Sequence, residues 1–324
     1  MNRVLVIDKP KGLTSHDVVA RVRRLTRIQK VGHAGSLDPA ATGVLVLLVG
    51  KATRLAQFFV DLDKRYHGRI VLGVTTDTQD ATGKVEATAD PSGITRAQIE
   101  DAFEAFEGET QQVPPMVSAL KREGTPLYVL ARRGQVVERE PRPVTITGLR
   151  VLAVELPEIE FEMSCSKGTY VRTLAADIGE LLGCGAHLGE LARTGVGAFT
   201  LEAATRLGAL TREGISGQET GYSMHEALSF MPELRVTERE EDVLSTGGAI
   251  EVDLERLTDA GATLFRLSAD GVELAAVGKR VDVVGSDVSE DGTAAAATPA
   301  ARASDDANTA KVRIQPVRVF TEPV

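Results

Sequence analysis

The chain of 324 residues has no tryptophan, four tyrosines and nine phenylalanines, so aromatic residues make up only 4% of it. Its core must be packed from aliphatic side chains, and each tyrosine is a conspicuous residue. Two cysteines, Cys165 and Cys184, and five histidines are too few for a disulfide framework or a cysteine-rich zinc site, and no HExxH or CxxC spacing gathers metal ligands. No metal and no cofactor are expected. Long hydrophobic runs are also missing: nothing approaches the ~18–20 apolar residues of a membrane span, and the apolar start Val4–Ile7 meets Asp8 and Lys9 too soon for a secretory signal. The expected location is the reducing cytoplasm.

Positive charge is in deficit, with 37 Lys+Arg against 46 Asp+Glu and a net charge of −9, which taken alone argues against a nucleic-acid partner. The deficit is uneven. Residues 1–72 hold 13 basic against 5 acidic residues, residues 73–110 hold 2 against 9, and residues 231–324 hold 10 against 18. The chain is electrostatically segregated, with a basic N-terminal quarter, so the whole-chain charge does not by itself decide against a nucleic-acid partner.

The pattern along the chain alternates strands and helices. Val4–Ile7 reads as a short buried strand closed by Lys9, Pro10, Lys11 and Gly12. A helix follows, capped by Thr14 or Ser15, with Val18, Val19, Val22 and Leu25 on one stripe. Residues 31–43 form a glycine-rich loop, Val44–Val49 a buried strand, and Lys64–Val74 an alternating strand. Thr95 and Gln98 resemble a capping box opening a helix that buries Ile99, Ala102, Phe103 and Phe106. A basic stretch after Pro114 carries Arg132 and Arg133 around a short helix between Pro126 and Gly134. Strands near 144–155 and 158–165 precede a helix from about Thr169, with Val171, Leu174, Ile178 and Leu181 facing the core. After about residue 230, short strands at Ala249–Val252, Thr263–Leu267 and Val272–Val277 indicate a small β-rich domain. Residues 286–310, with nine alanines and no Leu, Ile, Phe or Tyr, bury too little to offset ordering entropy and read as a disordered insert, after which Lys311–Phe320 resumes as strand.

Two apparent motifs fail. Gly50-Lys51 lacks both the earlier glycine and the following Ser or Thr of a phosphate loop. Ser164 to Lys167 fits S-x-x-K without either companion motif of a serine acyl-transfer enzyme. A stronger constellation centres on Asp38, held extended by Pro39 among small residues, with Arg172 as a counter-charge to keep it ionised and Tyr66 and Tyr170 as faces for an unstacked base.

The strings KPKGLTS (9–15), GHAGSLDPAATGVL (32–45), KRYHGRIVLGVTTDTQDATG (64–83), VPPMVSALKREGTPLYVLAR (113–132) and CSKGTYVRTL (165–174) closely resemble the bacterial TruB family of tRNA pseudouridine-55 synthases, and the order continues through GCGAHLGELARTGVGAF (183–199). The resemblance implies isomerisation of a uridine in the T-loop of tRNA to pseudouridine by base flipping. It implies that Asp38 is the catalytic aspartate, acting on either the uracil or the ribose, that Tyr66 stacks on the flipped uracil, and that Arg172 pairs with the aspartate beside Tyr170. Leu191 then lines the uracil pocket, His33 inserts where the base has left, and Lys9 and Pro10 pack under the active-site loop. Ser36 stands where the family typically has threonine, and Ala192 where an arginine commonly precedes Arg193. The implied fold is α+β: a mixed sheet flanked by helices over 1–230, with a mobile RNA-gripping insertion at about 112–143, and a small β-rich PUA-like domain over 231–324. The expected partner is the T-arm of tRNA, with no membrane and no obligate protein partner. The competing readings are a guide-RNA-dependent pseudouridine synthase and a non-catalytic tRNA-binding or folding module.

Overall fold

A computed structural model describes residues 1–118, 120–217, 219–281 and 311–321; the insert expected at 286–310 lies outside them. The chain divides into two compact units, Met1–Gly221 and Tyr222–Val324. In the first, the main elements are β1 (Arg3–Lys9), α1 (Ser15–Thr26), β2 (Thr42–Val49), β3 (Lys64–Leu72), α2 (Arg96–Glu104), β4 (Gly108–Gln112), α3 (Leu127–Arg132), β5 (Arg142–Glu155), β6 (Glu158–Cys165), α4 (Val171–Leu181) and β7 (Ala186–Val196). They build a mixed ten-stranded sheet whose main path runs Thr205–Arg206, β1, β2, β7, β3, β6, β5, β4. Neighbours on this path are antiparallel except at Thr205–Arg206 against β1 and at β2 against β7. The β2–β7 seam is narrow, with Thr42 opposite Ala192 and Gly43 opposite Arg193. Gly43 has φ +97°, and a Cβ there would lie 2.2 Å from the carbonyl oxygen of Arg193, so only glycine lets the two halves of the sheet close.

Helices cover the sheet because their apolar stripes require it. Thr14 caps α1 in a full capping box with Asp17, and Val18, Val19 and Val22 are buried against Leu5, Ile7, Leu45 and Leu47. Each such side chain contributes about 1.5–3 kcal/mol of burial. On the other half, α2 and α4 bring Ile99, Phe103, Leu174 and Ile178 against Ile70, Ile146 and Phe161. Tyr66 and Leu191 pack against both clusters. Leu181, expected in the core, is 57% exposed, because α4 ends at this residue and the chain turns away through Gly183 at φ +77°.

The second unit contains β8 (Glu233–Arg235), α5 (Glu238–Ser245), β9 (Ile250–Asp253), β10 (Leu264–Ser268), β11 (Ala276–Val281) and β12 (Lys311–Val319), in a five-stranded sheet of order β8, β10, β11, β12, β9. Leu234, Leu244, Phe265, Leu267 and Ile314 form its core. The strand expected at Val272–Val277 begins only at Ala276. A turn built by Asp270 explains the delay: Val272 and Glu273 donate their N–H groups to its Oδ1, and Gly271 donates to Ser268 Oγ, so the backbone over 268–273 is committed to side-chain acceptors before a strand can start.

Candidate active site

The loop between Val31–His33 and β2 carries Asp38, and it is braced from three sides. Leu37 donates its N–H to Ser15 Oγ at 2.8 Å. Pro39 offers its carbonyl to Gly12 N–H at 2.7 Å and to Lys9 Nζ at 3.5 Å. Arg193, buried on β7, donates Nε to Val44 O at 2.7 Å, and Nη1 and Nη2 to Ser36 O and Gly35 O at 3.2 Å each. The residues flanking Asp38 are therefore fixed by these bonds, none of which takes up its carboxylate. Lys9 also donates to Leu13 O and Pro10 O, and burial pushes its ammonium down to about 8 despite the nearby charge of Asp38.

Arg172 supplies the counter-charge. Its Nε lies 2.9 Å from Asp38 Oδ2, with the guanidinium side chain 5% exposed and the carboxylate side chain 47% exposed. Such a pair is closed below and open above. The other nitrogens are also engaged: Nη1 donates to Thr78 O at 3.0 Å, and Nη2 to Val117 O at 2.8 Å. A second carboxylate, Asp80, approaches Nη1 at 3.7 Å. Asp80 is itself held by the Thr78 hydroxyl and by the N–H and hydroxyl of Thr82. Sequence reasoning passes over Asp80, although its place in the TTDTQDATG string, two residues from a threonine on either side, is the pattern of a self-capped turn.

Asp38, Arg172 and Leu191 line one cleft together with Asp80 and Leu188. Tyr66, on β3, packs on the same core clusters as Leu191 without lining the cleft; its backbone pairs with Arg193, and burial raises the pKa of its hydroxyl. Tyr170 stands at the start of α4 and is likewise shifted up by burial. A neighbouring pocket shares Ala40, Glu190 and Leu191 with this cleft and has Ala192 in its wall. His33 stands in another group, its ring edge-on to His16 at 6.0 Å, and burial, with His16 and Arg193 nearby, lowers its pKa. Pro10 lies beside Lys9 under the loop. Arg132 and Arg133 are at the end of α3, with the Arg132 guanidinium 5.7 Å from the Tyr128 ring centre; neither lines the cleft at Asp38.

The fold is that of the pseudouridine synthases. The crystal structure of a Cbf5–Nop10–Gar1 complex superposes with a TM-score of 0.66 at 27% identity, covering 86% of this chain and 78% of that one. An H/ACA RNP bound to a substrate RNA containing 2′-deoxyuridine shares the fold at TM-score 0.69 and 22% identity, over 99% and 86% of the two chains. Residues 23–171 match the N-terminal domain model of TruB family pseudouridylate synthases, and residues 172–228 match the C-terminal domain model of tRNA pseudouridylate synthase B. A tRNA pseudouridine synthase B of Syntrophotalea carbinolica is 50% identical over 73% of this chain and 78% of its own length. One from Geobacter sulfurreducens is 44% identical over 85% and 92%. The chain belongs to the TruB family.

Proposed function

We propose that this protein converts uridine 55 in the T-loop of tRNA to pseudouridine, in the cytoplasm and without an obligate protein partner. The observation that carries the reading is the Asp38–Arg172 pair, an open carboxylate against a buried guanidinium, on the braced loop of a TruB family chain. The reaction is an isomerisation. The bond from N1 to C1′ breaks, the uracil turns, C5 bonds to C1′, the C5 proton leaves and N1 gains one. Asp38 acts as the anion, either by adding to the uracil ring or by attacking or deprotonating the ribose.

The base has to leave its stack to reach Asp38, at a cost of a few kcal/mol. Leu191 gives it apolar surface in the cleft, and Tyr66, packed on the same core clusters, is the ring on which it stacks. His33, whose neutral form burial favours, offers a ring to the vacated stack and recovers part of that cost. Lys9 and Pro10 hold the loop from beneath, Tyr170 caps the helix that carries Arg172 and takes part in the site from there, and Arg132 and Arg133 take phosphates.

The test is incubation of the wild type and Asp38→Asn with an unmodified tRNA transcript, followed by mapping of the product by mass spectrometry. Wild type is expected to modify uridine 55, and the variant to bind tRNA with unchanged affinity and form no product. Product from Asp38→Asn, or modification at another position, overturns the reading.

A further inference from the structure

The segment that leaves β4 touches the start of α4 through Gln112 and Val117. Gln112, the last residue of β4, is 4% exposed although polar. Its Oε1 accepts from Tyr170 N–H at 2.7 Å and its Nε2 donates to Tyr170 C=O at 3.0 Å. A primary amide that satisfies both backbone groups of one residue fixes that residue's position and its orientation together. Five residues along, Val117 C=O takes a hydrogen bond from Arg172 Nη2. Both contacts run from the root of the 112–143 insertion to the first turn of α4, where Tyr170 is the N-cap without a side-chain cap of its own. Strand pairing of Gln112 with Arg142 already secures the end of β4, so the side chain is not required to anchor its own strand.

We propose that Gln112 is a positioning residue for Arg172, and through it for Asp38, so that seating the root of the insertion and aligning the pair are one event. The proposal rests on the reading of Asp38 and Arg172 given above. Gln112 does not line the cleft at Asp38; it acts through the backbone two residues before Arg172. RNA that draws on the insertion is then felt at the carboxylate without touching it.

Two variants test this in the full chain with unmodified tRNA. Gln112→Met keeps the length of the side chain and removes both bonds, and Gln112→Asn keeps the amide's donor and acceptor on a side chain one methylene shorter. In Gln112→Met, kcat is expected to fall about tenfold to a hundredfold, the cost of a small misalignment of a reacting group. KM and Kd for tRNA are expected to stay within about twofold. Gln112→Asn is expected to fall between Gln112→Met and wild type in kcat, a partial rescue by an amide that still carries a donor and an acceptor. If Gln112→Met does not fold, Gln112→Asn decides alone by the same split between kcat and KM. Unchanged kcat, or a loss of kcat matched by an equal loss of tRNA binding, overturns the proposal. Product from Asp38→Asn is a different failure, that of the reading beneath it.

Discussion

Replacing Arg172 by lysine keeps the positive charge and removes the geometry. The guanidinium serves three acceptors in separate directions: Asp38 Oδ2, Thr78 O and Val117 O. An ammonium is a single point without that planar fork, and it serves one of them well. Two carbonyls are then left without their donor in a site where the side chain is 5% exposed. An unsatisfied buried acceptor costs about 1–3 kcal/mol, so the expected loss is about 2–6 kcal/mol. For a unit of this size, each kcal/mol lowers the melting temperature by about 2–4 °C. Arg172→Lys is therefore expected to melt at least about 4 °C below wild type, with pseudouridine formation falling further than the folded fraction. The assay is thermal unfolding by circular dichroism beside product formation on the same preparation. A variant that melts with wild type and keeps its activity would show that charge alone is what Asp38 requires, and the argument from directed hydrogen bonds would be wrong.

Two further outcomes follow from the site. Lys9 has a folded-state pKa of about 8, below its unfolded value of about 10.4, so between these pH values the unfolded chain binds more protons and stability due to this group rises with pH. The urea midpoint of wild type relative to Lys9→Met should accordingly increase from about pH 7 to about pH 10; a constant difference would refute a depressed lysine. Arg132→Ala and Arg133→Ala should each weaken tRNA binding and reduce the slope of log affinity against log salt by about one, and an unchanged slope would mean that these residues meet no phosphate.

Much of the site is legible because it sits in contiguous strings. The Asp38 loop and the Tyr170–Arg172 turn each carry their own signature, and the capping box of α1 is written in Thr14 and Asp17. The residues that local pattern misses act across the fold. Asp80 matters only once a turn at 77–84 meets α4, Gln112 only once the end of β4 lies beside Tyr170, and Arg193 only once β7 reaches β2. Periodicity misplaces Leu181 because it does not say where the sheet beneath a helix ends, and it misplaces the start of β11 because Val272 is apolar but belongs to the turn at Asp270. The helix α5 escapes for a related reason: its acidic face hides a single buried residue, Leu244.

The two-residue seam between β2 and β7 has a consequence for biosynthesis. The Arg193 side chain and the Val44 carbonyl that it bonds beside the seam are 149 positions apart in the chain. Closing so long a loop is slow, because its entropy is spent before the contacts repay it. The ribosome therefore delivers the aspartate loop early and its arginine brace late, and a nascent chain that ends short of β7 carries Asp38 without the scaffold that aims it.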